Sequence, residues 1–219
     1  NSGDIRTLKG KILSVESKLA KKATFRQPKV EVVYKKSNRD TYDKHARITS
    51  LDYTPVYQGG PKKGRKIPNP KKAVFLVAEA DHNSAMSGFD LFNRRHIALL
   101  SYDHQIIFRR VSSVKDMKEE LQKATKDGKK IDHLIVGAHG AESGRRAHLS
   151  GENFLTPSDI EGLNLKDRLK DNAPIMLDSC SQGSLKVTEN LADTFSKATN
   201  SPVLAAMIPS AGASELAFL

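Results

Sequence analysis

From residue 73 onward, short apolar runs alternate with stretches of helical periodicity, and this alternation constrains the fold more than any other feature. Residues 73–78 (Ala-Val-Phe-Leu-Val-Ala), 134–138 and 175–177 are apolar runs too short for helices. Such runs, lacking polar alternation, read as strands buried on both faces. Between them, Val114, Met117, Leu121 and Ala124 fall at helical spacing, with Ser113 and Asp116 as a weak capping pair and Gly128 as the stop. Residues 84–93 and 186–199 read as further helices, and a helix starts at Thr156-Pro157-Ser158-Asp159. Residues 96–100 read as a second strand with a short extension at 105–108, residues 146–155 as a hairpin turning at Ser150-Gly151, and residues 202–208 as a final strand. This order predicts an α/β fold with a mostly parallel sheet, helices on both faces and right-handed crossovers.

Two of these runs end on reactive side chains. Leu134-Ile135-Val136-Gly137-Ala138-His139-Gly140 stops at a His-Gly pair, and Ile175-Met176-Leu177-Asp178-Ser179-Cys180 stops at the only cysteine. Neighbouring parallel strands would present both groups at one sheet edge, where open α/β sheets place their ligands. A lone cysteine is most often an inert core thiol; the shared position of the two residues shifts that reading. A thiol near its free pKa of about 8.5 is mostly protonated at neutral pH, and a nearby imidazole can take the proton. The N–H groups of Gly140 and Cys180 are natural donors to a developing oxyanion. Gly183 would permit a tight turn after the cysteine.

The net charge of +11 resides in the N-terminal third. Residues 1–72 hold 19 Lys+Arg against 6 Asp+Glu, whereas the remainder holds 17 against 19. Ile5, Leu8, Ile12, Val15 and Leu19 form one helical stripe, and residues 29–35 and 46–57 read as a hairpin. Residues 59–72, rich in Gly, Pro and Lys, read as a linker. The chain thus divides into a basic helix-and-hairpin region at 1–58, the linker at 59–72 and an α/β domain at 73–219. The basic region is either an anion-binding surface or a solvated extension.

The layout from about residue 73 to 210 resembles the caspase-fold (clan CD) cysteine peptidases, and is closest in pattern to bacterial clostripain-like or toxin self-processing domains. The resembling residues are Ile135-Val136-Gly137-Ala138-His139-Gly140 and Leu177-Asp178-Ser179-Cys180-Ser181, with the hairpin-then-helix segment at 147–160 between them. The resemblance implies a three-layer caspase-like α/β fold and a cysteine endopeptidase, a thiol protease with Cys180 as nucleophile, His139 as base and Gly140 in the oxyanion hole. It departs from the caspases at Asp178-Ser179-Cys180-Ser181-Gln182-Gly183, which lacks their Gln-Ala-Cys-x-Gly signature. It also places Asp178 at the floor of a pocket for substrate Arg or Lys, with Asp81 and His82 bordering that pocket and Pro209 and Ser210 lining the substrate backbone. A second reading of Asp178 is a structural carboxylate that caps a turn or orients a neighbour. Cleavage after Lys or Arg would make residues 62–72 a self-processing segment.

Three readings of function follow: that endopeptidase, as a bacterial effector or toxin domain; a catalytically silent caspase-like module whose basic region holds an anionic partner; and the enzyme with its basic region as an anion sensor that activates it, as phosphorylated inositols do for the toxin self-processing domains it resembles. No metal site is expected, because the histidines show no ligand spacing, and none of the readings requires a cofactor. Aromatics do not interleave with basic residues, which argues against nucleic acid. Expected partners are a protein or peptide substrate and an anionic ligand. No apolar stretch reaches the roughly 18 residues of a membrane span, so the expectation is a soluble protein, cytoplasmic or secreted into a host cell. The start at Asn1 rather than Met leads to the expectation of a fragment.

Overall fold

The computed structural model describes residues 29–36, 42–79, 96–141 and 144–207. Its elements are β1 (Lys29–Lys36), β2 (Tyr42–Tyr53), β3 (Lys71–Ala78), β4 (His104–Val111), α1 (Val114–Thr125), β5 (His133–Gly137), β6 (His139–Ala141), β7 (Arg146–Ser150), β8 (Asn153–Leu155), α2 (Pro157–Ile160), α3 (Leu165–Arg168), β9 (Ile175–Asp178), α4 (Leu191–Thr199) and β10 (Val203–Ala205). The expected helices at 4–22 and 84–93 lie outside the described residues.

Seven strands form one sheet in the order β1-β2-β4-β3-β5-β9-β10. From β4 to β10 every pairing is parallel, and β2 joins β4 antiparallel through Ser50↔Arg109 to Tyr53↔Ile106. Counting only the parallel strands along the chain, the spatial order is second, first, third, fourth, fifth. That is a doubly wound order whose crevice opens between the first and third strands, here β3 and β5. The structure is therefore α/β, with a mostly parallel central sheet flanked by helices.

Alternation along each strand explains the two cores. Val74, Leu76 and Ala78 of β3 point to one face, with Leu134 and Val136 of β5 and Ile175 and Leu177 of β9. Helices α1 to α4 cover that face through Met117, Leu121, Ile160, Leu165, Leu191 and Phe195. Ala73, Phe75, Val77, Ile135 and Met176 point to the other face, where they meet Ile97 and the hairpin residues Ile48, Leu51 and Tyr53. Strands apolar on both faces can only be central, which is why their runs show no period of two.

Helix α1 matches its expected span. Ser113 accepts from the backbone N–H of Asp116 at 3.1 Å, and Asp116 in turn accepts from the backbone N–H of Ser112 at 3.0 Å. Lys72 is buried beneath the C-terminus of α1 and donates to the carbonyls of Ala124 (2.5 Å) and Lys129 (3.2 Å) and to Asp127 (2.8 Å). A cation suits the negative end of a helix. Just before β3, residues 57–65 close on themselves, with Tyr57 N–H to Arg65 O and Gly64 N–H to Tyr57 O both at 2.9 Å.

Three expectations about elements need correction. Residues 96–100 are helical rather than a strand, with Ser101 N–H bonded to the Ile97 carbonyl at 2.8 Å. The true second parallel strand is β4, of which residues 105–108 are only the middle. Helix α4 begins at Leu191 rather than near 186 because Asn190 caps it, accepting from the Asp193 N–H at 2.8 Å.

Candidate functional site

β5 ends at Gly137, so His139 does not sit on the parallel sheet. It opens β6, the first strand of a small antiparallel sheet β6-β7-β8, where it pairs with His148. β9 ends at Asp178, and Cys180 lies two residues beyond it. Both His139 and Cys180 are partly exposed. The departing chains stay together because Ala138 N–H bonds to the Asp178 carbonyl at 3.1 Å.

Gly140 brings the two segments into contact. A Cβ placed there would lie 1.9 Å from the carbonyl oxygen of Cys180 and 3.0 Å from its nitrogen. Backbone therefore packs on backbone, and no side chain fits between them. Glycine is required here by the Cys180 carbonyl itself, a reason independent of any bound oxyanion. Gly144 repeats the arrangement one residue along: its φ is +103°, and a Cβ would sit 2.1 Å from the Ser181 carbonyl.

The turn after β9 is unusual in its own backbone. Ser181 has φ +60°, a left-handed conformation that costs an L-residue roughly 1–2 kcal/mol. Gly183, the residue expected to supply the turn, has no such φ; it packs under β10 with its N–H on the Ala206 carbonyl at 2.9 Å. Gln182 is fully buried, and its Nε2 donates to the carbonyls of Arg146 (2.9 Å) and Cys180 (3.4 Å).

Asp178 is also fully buried. Alternation puts it on the face of Met176, beside Gly137. Neither carboxyl oxygen has a hydrogen-bond partner among the described residues, so it caps no turn there. Burial raises its pKa well above the ordinary carboxylate value. Asp81, His82, Pro209 and Ser210 fall outside the described residues.

Three histidines, His96, His104 and His133, lie together at the opposite, amino edge of the sheet. The His104 and His133 rings lie edge to face with centroids 6.5 Å apart, and Asp103 binds Nδ1 of His104. Burial first, then the charges of His104 and His96, lower the His133 pKa to about 4. Burial also lowers that of His96. No cluster of three metal-ligating side chains occurs among the described residues.

Thus the structure brings together Cys180, Gly140 and the strand that begins with His139, with Asp178 buried behind them. Sequence alone does not single out Gly144 or Gln182. Their roles depend on contacts with chain 36 or more residues away, and nothing in their neighbours signals this.

No family model matches the chain, and no curated protein matches it. Among solved structures, a short-chain dehydrogenase/reductase from Serratia marcescens is similar at 12% identity and a TM-score of 0.30, over 61% of this chain and 68% of that one. A double variant of the same enzyme gives the same identity with a TM-score of 0.30 over 68% of its length, and another 0.27 over 67%. These findings overturn the resemblance to caspase-fold peptidases, which no comparison supports: the similar structures are dehydrogenase/reductases. The endopeptidase function, the hydrolase class, the silent caspase-like module and the thiol-protease, autoprocessing and effector attributes are withdrawn with it. The physical reason is that apolar runs ending on polar residues mark the carboxyl edge of any open parallel sheet. A TM-score of 0.30 assigns this chain no activity in place of the one withdrawn; what is shown is an α/β protein with a mostly parallel central sheet flanked by helices.

Proposed function

We propose that the carboxyl edge of the sheet holds a thiol–imidazole site that captures an electrophilic ligand covalently. Cys180 is the nucleophile. His139 takes the thiol proton as the sulfur forms a bond to the electrophilic carbon, whose leaving group departs with the bonding pair. The observation that carries this reading is the packing of Gly140 on the Cys180 backbone, which leaves no side chain between the His139 strand and the thiol-bearing residue. Asp178 is the group that would receive a cationic part of the ligand. Its support is a buried carboxyl without a hydrogen-bond partner among the described residues, two positions before the thiol. Neither peptide hydrolysis nor nicotinamide chemistry is part of the proposal. The strand order is not the third-second-first-fourth order usual in dinucleotide-binding sheets, and residues 79–87 after β3 contain no glycine. No helix among the described residues is long and apolar enough to cross a membrane.

The test uses two chloromethyl ketones, one bearing a guanidinium and one neutral, read by intact mass. Displacement of chloride by Cys180 gives one adduct in the wild type and none in Cys180→Ser. The guanidinium probe reacts faster, and Asp178→Asn removes that preference while leaving the neutral probe unaffected. Equal rates for the two probes in the wild type would remove Asp178 from the site, and absence of any adduct would reject the site.

A further inference from the structure

Two chain segments meet at the Cys180 carbonyl. The Cys180 oxygen faces Gly140, whose missing side chain leaves the space it occupies, and it also accepts from Gln182 Nε2 at 3.4 Å. The same amide donates to the Arg146 carbonyl at 2.9 Å, at the start of β7, which pairs directly with β6. The Gln182 backbone carbonyl accepts from Ala192 N–H at 3.2 Å, in the first turn of α4. One fully buried residue therefore ties the Cys180 turn to the small sheet carrying His139 and to the helix beneath.

We infer that Gln182 is a positioning residue that holds the Cys180 thiol in register with the His139 strand; the inference rests on the thiol site proposed above. Its amide acts through two backbone carbonyls, in a turn that already carries a left-handed serine. A backbone conformation of that kind persists only where its surroundings determine it. Gly140 and Gly144 contribute by close backbone packing, the Ser184 N–H by its bond to the Ser181 carbonyl at 3.0 Å, and the Gln182 amide by its two side-chain hydrogen bonds. The sequence spacing fits this role: Gln182 follows the left-handed residue directly, so its side chain turns back toward Cys180 rather than onward along the chain.

Gln182→Met keeps the volume and removes both donated hydrogen bonds; Gln182→Glu keeps the shape and replaces the donor with an acceptor. Two measurements decide. Amide exchange at residues 144–147 and 180–183 rises about tenfold or more in Gln182→Met, while β3 and β5 amides keep wild-type protection. The iodoacetamide alkylation rate of Cys180 falls on the order of tenfold near neutral pH, and its pH profile moves to that of His139→Ala. Gln182→Glu shows the same profile once its carboxyl is ionised, since a carboxylate only accepts. Unchanged exchange overturns the inference. So does a wild-type alkylation profile in Gln182→Met when that of His139→Ala differs. If His139→Ala itself matches the wild type, the thiol site has failed instead, and exchange alone decides for Gln182.

Discussion

Asp178 shows how one buried group couples stability to chemistry. Its folded-state pKa is raised by burial, so the folded protein holds the proton more tightly than the unfolded chain. The corresponding stability is present below the ordinary value of 3.8 and is lost as pH rises through the folded pKa. Asp178→Asn, which cannot ionise, should therefore melt above the wild type at pH 7, by roughly 2–4 °C per kcal/mol of relieved cost, and match it near pH 3. Calorimetry at both values checks this, and a lower melting point for the variant at pH 7 would show that the ionised carboxylate is stabilised. Gly140 carries the opposite lesson. Its place after His139 is legible in the sequence, and an oxyanion role is the expected reason; the observed reason is the Cys180 carbonyl, which any Cβ at this position would strike. Gly140→Ala should cost about 3 kcal/mol in denaturant unfolding, because backbone rather than a movable side chain must yield. A loss below about 1 kcal/mol would mean the turn relaxes freely.

At the scale of elements, whatever rests on local pattern is readable and whatever rests on distant partners is not. Helix α1, the β7–β8 hairpin and strands β3, β5 and β9 follow directly from periodicity and turn residues. Residues 96–100 mislead because Ile97-Ala98-Leu99-Leu100 is a short apolar run, which fits strand and buried helix equally. The full length of β4 is hidden because Arg109 and Arg110 look too polar for an inner strand. Their partners are far along the chain: Asp52 holds Arg109 at 2.8 and 3.0 Å, and the Ile48 carbonyl takes Arg110 at 3.0 Å. The role of Lys72 is hidden for the same reason. Lys72→Met, which removes one hydrogen bond from the end of α1 and two from the turn after it, should cost about 2–4 kcal/mol, measured by the urea midpoint; an unchanged midpoint would show water replacing the ammonium at no cost.

For the molecule as a whole, the sheet separates two kinds of edge. The carboxyl edge gathers Cys180, the His139 strand, Gln182 and Asp178. The amino edge gathers His96, His104 and His133. His133 is held neutral in the fold, with its pKa lowered from 6.5 to about 4. Its contribution is therefore complete above pH 6.5 and is lost as pH falls through that window toward 4. His133→Leu should flatten the acid side of the melting curve between pH 6.5 and 4; an unchanged slope would assign acid sensitivity to other groups. The basic N-terminal hairpin is continuous with this same sheet through β2 and β4. The family resemblance fails at this scale because it compares edges, and every open parallel sheet has one.

The most direct measurement is the rate of Cys180 alkylation by iodoacetamide across the neutral range, in the wild type and in His139→Ala. If the imidazole assists the thiol, the wild type is alkylated about tenfold or more faster than His139→Ala near neutral pH, and the two profiles differ. Superimposable profiles would contradict the site.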